Sequence, residues 1–90
     1  MHKMAHNRRM ALTPLKSRLF AVAQNMGVAW KMSDPVDEVA ARIKAKNPRA
    51  LSVFLHKFGY TVDDIVAESP IADAAKAALG DGSDLPPAEV

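Results

Sequence analysis

Three histidines and one serine are the side chains whose spacing invites a chemical reading. His2 and His6 lie four residues apart, so a helical arm places both on one face, as a two-histidine metal site requires. No third ligand stands at a useful spacing: His56 is the only other histidine, and there is no cysteine to supply a thiolate. The reading is no metal and no cofactor. Ser52, His56 and Asp63 supply the residue types of a hydrolytic triad, with Ser52 and His56 in i,i+4 relation. The sharp turn that exposes a nucleophile and the glycine-rich loop that stabilises an oxyanion are both missing. Of the four glycines, Gly27, Gly59 and Gly80 fall at apparent helix ends and Gly82 in the C-terminal segment, so none builds a phosphate cradle. The expectation is a protein that is not an enzyme.

Charge is the least ordinary feature. Residues 1–57 hold eleven Lys/Arg and three Asp/Glu, a net of +8, whereas residues 58–90 hold one lysine and seven acids, a net of −6. The whole-chain value of +2 hides this division. A basic half of this size attracts polyanions or acidic protein faces. The contacts expected from it are Lys3, Arg8 and Arg9 on the arm, Lys16 and Arg18 on the first helical pattern, and Lys44, Lys46 and Arg49 along an edge further on. Trp30 reads in two ways, as a core plug closing a helical corner or as an exposed anchor for a partner.

A helix–turn–helix is the one nucleic-acid motif that the spacing supports, with Gly59 where the turn wants glycine. The segment that would read DNA, Thr61 to Ser69, contains Asp63, Asp64 and Glu68 and no Lys or Arg. Binding dominated by phosphate neutralisation disfavours such a helix. This unit therefore reads as a helical corner. Nucleic acid, if bound, would be held by the basic arm and the Lys44, Lys46, Arg49 edge without sequence reading.

The elements that must position these side chains are helices. Ninety residues allow one domain, and a hydrophobic share of 49% is ordinary for a globular chain. Thr13-Pro14 is a cap followed by proline at the first helical position. Leu15, Leu19, Val22 and Met26 follow as one stripe, widened by Phe20 and Ala23, and Gly27 with Val28 forms a Schellman ending. Ser33-Asp34-Pro35 is a second start, with Asp34 as cap and Pro35 at the first helical position. Asp37 and Glu38 sit at the positive end, Val36, Val39, Ala40 and Ile43 form the stripe, and Glu38 and Arg42 make an i,i+4 pair. Asn47-Pro48 opens a third helix with the stripe Leu51, Phe54, Leu55 and Phe58, closed by Gly59. Thr61 to Asp64 forms a capping box, stapled by Tyr60 and Ile65. Ser69-Pro70 ends that helix and caps a fifth, Ile71 to Leu79.

The expected architecture is all-α: a compact bundle of about five short helices over residues 12–80, preceded by a basic arm (1–11) and followed by a flexible, acidic, proline-containing tail (81–90). The best apolar run, Leu19 to Trp30, is interrupted by Gln24 and Asn25 and is too short to span a bilayer, so no membrane partner is expected. Residues 1–33 hold six Lys/Arg and no acid, a composition shared with transit peptides, but the capped helix from Thr13 favours an arm plus a folded element. No clean apolar segment follows the basic start, so secretion is not expected. A cytoplasmic location, or one within a viral particle, is. Met10 is an alternative start to Met1.

Together these features favour a non-enzymatic interaction or assembly protein, of the kind found as a small structural component of a phage particle. It would use its charged ends to contact other subunits or further copies of itself. A nucleic-acid-binding or regulatory protein using the basic half is the alternative. A small inhibitor whose acidic tail mimics nucleic acid is a further one.

Overall fold

Proline and a side-chain oxygen open two of the helices in the computed structural model, which describes residues 12–80 together with 85 and 86. Thr13 accepts a hydrogen bond from the Lys16 amide at 3.1 Å and Pro14 begins helix α1 (Pro14–Met26). Asn47 accepts from the Arg49 amide at 3.1 Å and Pro48 begins α3 (Pro48–Phe58). Each proline occupies a position whose N–H has no intrahelical partner, so nothing is lost by its absence. Between them runs α2 (Val36–Lys46). The short α4 (Val62–Glu68) starts in the expected capping box: the Asp64 amide donates to Thr61 Oγ1 at 3.3 Å and the Thr61 amide donates to Asp64 Oδ2 at 2.8 Å. The last described helix is α5 (Ala72–Leu79). The fold is an all-α bundle, with five helices and no strand among the described residues. None of these helices is long and apolar enough to cross a membrane. The arm and most of the 81–90 tail lie outside the described residues, as do Lys3, Arg8, Arg9, His2 and His6.

Two helices end alike. Gly27 and Gly59 adopt φ +75° and +73°, and in each case the next residue donates back into the last turn: Val28 to the Ala23 carbonyl at 2.8 Å, and Tyr60 to the Leu55 carbonyl at 2.9 Å. These are Schellman endings, which favour glycine at the left-handed position because it has no Cβ.

α2 is the hub, with α1, α3, α4 and α5 all packed on it. Its residues Val39, Ala40 and Ile43 are fully buried. They meet Leu15 and Leu19 from α1, Leu51 from α3, Ile65 from α4 and Leu79 from α5 in one continuous core. Burying a leucine or isoleucine contributes about 1.5–3 kcal/mol, so these side chains supply most of the drive to fold. Leu85 is half-buried against the same core, so packing extends past the end of α5 at Leu79.

Three local expectations are corrected. Asp34 does not cap α2. Pro35 stands at the N-cap in extended conformation (ψ 151°), its carbonyl accepting from Glu38 and Val39, and the helix starts at Val36. The Asp34 carboxylate is used elsewhere, by the Lys31 amide and Arg42, each at 2.9 Å. Nor does Ser69-Pro70 cap the fifth helix. Ser69 Oγ donates backward to the Ile65 carbonyl at 2.7 Å, and α5 begins one residue later than expected, with Ile71 at its N-cap. Finally, Phe58 is 39% exposed and Val22 and Met26 are only half-buried, so the outer margins of the α1 and α3 stripes are not core.

Candidate docking groove

Those margins face each other. α1 and α3 bound a cleft of about 520 Å³. Its floor is apolar: Ala21, Val22 and Met26 from α1, and Ala50, Val53, Phe54 and Phe58 from α3. On α3 these residues recur at three- and four-residue steps, and on α1 Val22 and Met26 stand four apart, so they form the margin of each core stripe. Val53, like Phe58, is 39% exposed. A half-exposed aliphatic and a half-exposed aromatic side by side in a concavity are more informative than scattered surface leucines.

The rim is cationic. Arg18, Arg49 and Lys57 line the cleft together with Asn25 and Asn47, and among the described residues no carboxylate does. The cause is visible in the two helices: α1 and α3 contain four Lys/Arg and no Asp or Glu. The acids of the other helices are Asp37 and Glu38 on α2, Asp63, Asp64 and Glu68 on α4, and Asp73 on α5. The acids of the described helices thus lie on α2, α4 and α5, away from the two walls of the cleft.

One end of the cleft is an aromatic corner. Phe54, Phe58 and Tyr60 have ring centroids 5.4–6.5 Å apart. Arg18 lies over the Phe58 ring, 4.9 Å from its centroid, and donates to Tyr60 Oη at 3.3 Å. Lys57 approaches the same ring at 5.6 Å. Cation–π contacts hold both charges beside an apolar surface without neutralising them.

The expected contact residues are distributed unevenly. Arg18 and Arg49 line the groove. Lys16 does not: its ammonium lies 5.5 Å from the Phe20 ring, and it borders a smaller cleft that also contains Glu68 and Thr13. Lys44 donates to the Leu79 carbonyl at 3.3 Å, so it satisfies an unpaired C-terminal carbonyl of α5. Lys46 reaches over the end of α1: a Cβ on Gly27 would lie 3.8 Å from its Nζ, where a cation meets the negative helix terminus. The Lys44, Lys46, Arg49 edge is therefore divided among three tasks. Trp30 is half-buried and stacks on Phe20, centroids 4.8 Å apart, in the corner between α1 and α2.

Lys57, Val53 and Phe58 were missed as a site. Part of their signal was present in the sequence: Val53 and Lys57 stand four residues apart on an acid-free helix, beside the stripe that ends in Phe58. Reading it as a site required knowing that α1 carries a matching stripe opposite.

The catalytic residue types are not assembled. Ser52 is buried and its Oγ has no hydrogen-bond partner, while His56, one turn on, is exposed. Among the described residues no group of three or more His, Cys, Asp or Glu could hold a metal ion. On α4 itself Asp63, Asp64 and Glu68 are exposed, so a duplex approaching that helix would meet carboxylates.

A second electrostatic cluster lies elsewhere, centred on Arg42. Arg42 donates through Nη1 to Asp34 at 2.9 Å and to the Ala29 carbonyl at 3.1 Å, and through Nη2 to Glu38 at 3.2 Å. The Arg42 guanidinium, helped by the Lys31 amide, holds the Asp34 carboxyl below the usual carboxylate range despite its burial.

Comparison with known proteins returns no protein-family model, no curated protein and no solved structure that matches this chain.

Proposed function

We propose that this chain is a non-enzymatic docking module, an assembly or adaptor protein that binds another protein through the groove between α1 and α3. The observation that carries this reading is the groove itself: an apolar floor with exposed Val53 and Phe58, framed by two helices that bear cations and no acids. Protein interfaces combine an apolar centre with a polar rim, and Arg and aromatic residues are enriched there. The alternative, polyanion binding through the Lys44, Lys46, Arg49 edge, loses support because Lys44 is engaged by the Leu79 carbonyl.

Site-specific photo-crosslinking tests the reading. A benzoylphenylalanine at Val53 of the full chain, expressed in its native source, should form a discrete protein adduct. The same probe at Ala67, exposed on α4, should not. Equal adducts at both positions, or nucleic acid as the only adduct at Val53, would overturn it.

A further inference from the structure

The occupant of the groove can be specified further, on the footing that the groove docks a protein at all. We propose that it takes an amphipathic helix whose apolar stripe is flanked by Asp or Glu. Shape comes first. The α1 wall runs from Arg18 to Met26 and the α3 wall from Asn47 to Phe58. At 1.5 Å per residue these are about 12 and 16 Å long, room for two to three turns of a helix. A floor built by paired stripes on two helices receives anchors at i, i+3/i+4 and i+7, the way helices are held in helical grooves. No strand exists among the described residues, so an extended peptide would find no sheet edge to join here.

Charge selects the sign of the occupant. Arg18 and Lys57 stand at the aromatic end, and among the described residues no carboxylate lines the cleft beside them. Arg18 commits Nη1 to Tyr60, and a guanidinium carries five N–H donors, so others are left for an incoming carboxylate. The smaller cleft near Thr13 contrasts with this: it holds Lys16 and Glu68 together and so has no excess charge of either sign to recruit a partner. A basic helix in the α1/α3 groove would set its cations against Arg18 and Lys57, and like charges across an interface are costly. A nucleic-acid backbone would match the rim but would have to lay phosphates over Val53, Ala50 and Val22, where no donor replaces their water.

The test uses the full chain and two designed helical peptides of three heptads. Both carry the same leucine stripe; one has glutamate and the other lysine at the flanking positions. Titration in about 50 mM salt, with amide shifts mapped by NMR, should show the glutamate peptide binding at least about tenfold tighter, with shifts concentrated at 18–26 and 47–58. The preference should shrink in about 0.5 M salt as the charges are screened. Arg18→Glu/Lys57→Glu should reverse the preference. Val53→Asp, at an exposed position, should abolish binding of the glutamate peptide while leaving the Trp30 fluorescence of the folded chain unchanged. Equal affinity for the two peptides, shifts elsewhere, or displacement of the glutamate peptide by a 20-base-pair duplex or by phosphatidylglycerol vesicles would overturn the proposal. The mapped shifts on the unmodified chain decide it even where the double variant fails to fold. A protein adduct at Val53 in cells combined with equal peptide affinities would leave the docking reading standing and remove only the acidic occupant.

Discussion

Arg42 and Asp34 form a clamp across the approach to α2: Nη1 of Arg42 lies 2.9 Å from Asp34 Oδ2, and the same nitrogen donates to the Ala29 carbonyl at 3.1 Å. One guanidinium thus ties the exit from α1 to the body of α2. The Asp34 carboxyl is held below its ordinary value, about 3.9, chiefly by this hydrogen bond. A depressed carboxylate adds stability that is fully present above its unfolded-state pKa and is lost as pH falls through the folded value. The unfolding midpoint should therefore hold steady with pH near neutrality, where the pair contributes fully, and fall below about pH 4. Asp34→Asn should lower stability at pH 7 more than Glu38→Gln does, since Glu38 is the exposed partner, and should flatten this acid limb. Urea unfolding followed by Trp30 fluorescence between pH 2.5 and 7 checks both.

Any side chain at Gly59 should carry a cost, because its φ is +73°. A Cβ there would meet nothing within 4 Å, so the cost of Gly59→Ala is backbone strain alone, about 1–2 kcal/mol. Gly59→Asn should cost less, because asparagine enters the left-handed region more readily. Chemical denaturation of the two variants orders them.

Core and groove should separate cleanly by stability. Ile43, fully buried at the hub, should lose about 2–5 kcal/mol on Ile43→Ala. Val53→Ala, on the same scale, should stay within about 0.5 kcal/mol. A large loss at Val53 would mean that the groove floor is core and is not held open for a partner.

Thr13 carries two bonds. It accepts from the Lys16 amide and donates to Glu68 Oε1, so it caps α1 and links it to the end of α4. Thr13→Ala should cost about 0.5–2 kcal/mol, the range for a lost cap, and Thr13→Ser should recover most of it. Thermal unfolding by circular dichroism is sufficient to measure the pair.

Helix identity was legible in the sequence wherever the physics is local. Thr13-Pro14, Asn47-Pro48, the Thr61–Asp64 box and the two glycine endings act over six residues or fewer, so spacing alone specified them. The i,i+4 link of Glu38 to Arg42 was legible for the same reason. What failed depended on partners distant in the chain. Asp34 could cap its own helix or turn to Arg42, and only packing of the Ala29–Asp34 turn against α2 decided for Arg42. Lys44 looked like a surface cation until α5 placed the Leu79 carbonyl beside it, 35 residues on. The groove is the clearest case. The acid-free composition of α1 and α3 was written in the sequence, but a stripe of half-buried side chains becomes a concave site only when a second helix stands opposite. That juxtaposition arises because both helices pack on α2, a relationship that no local spacing encodes.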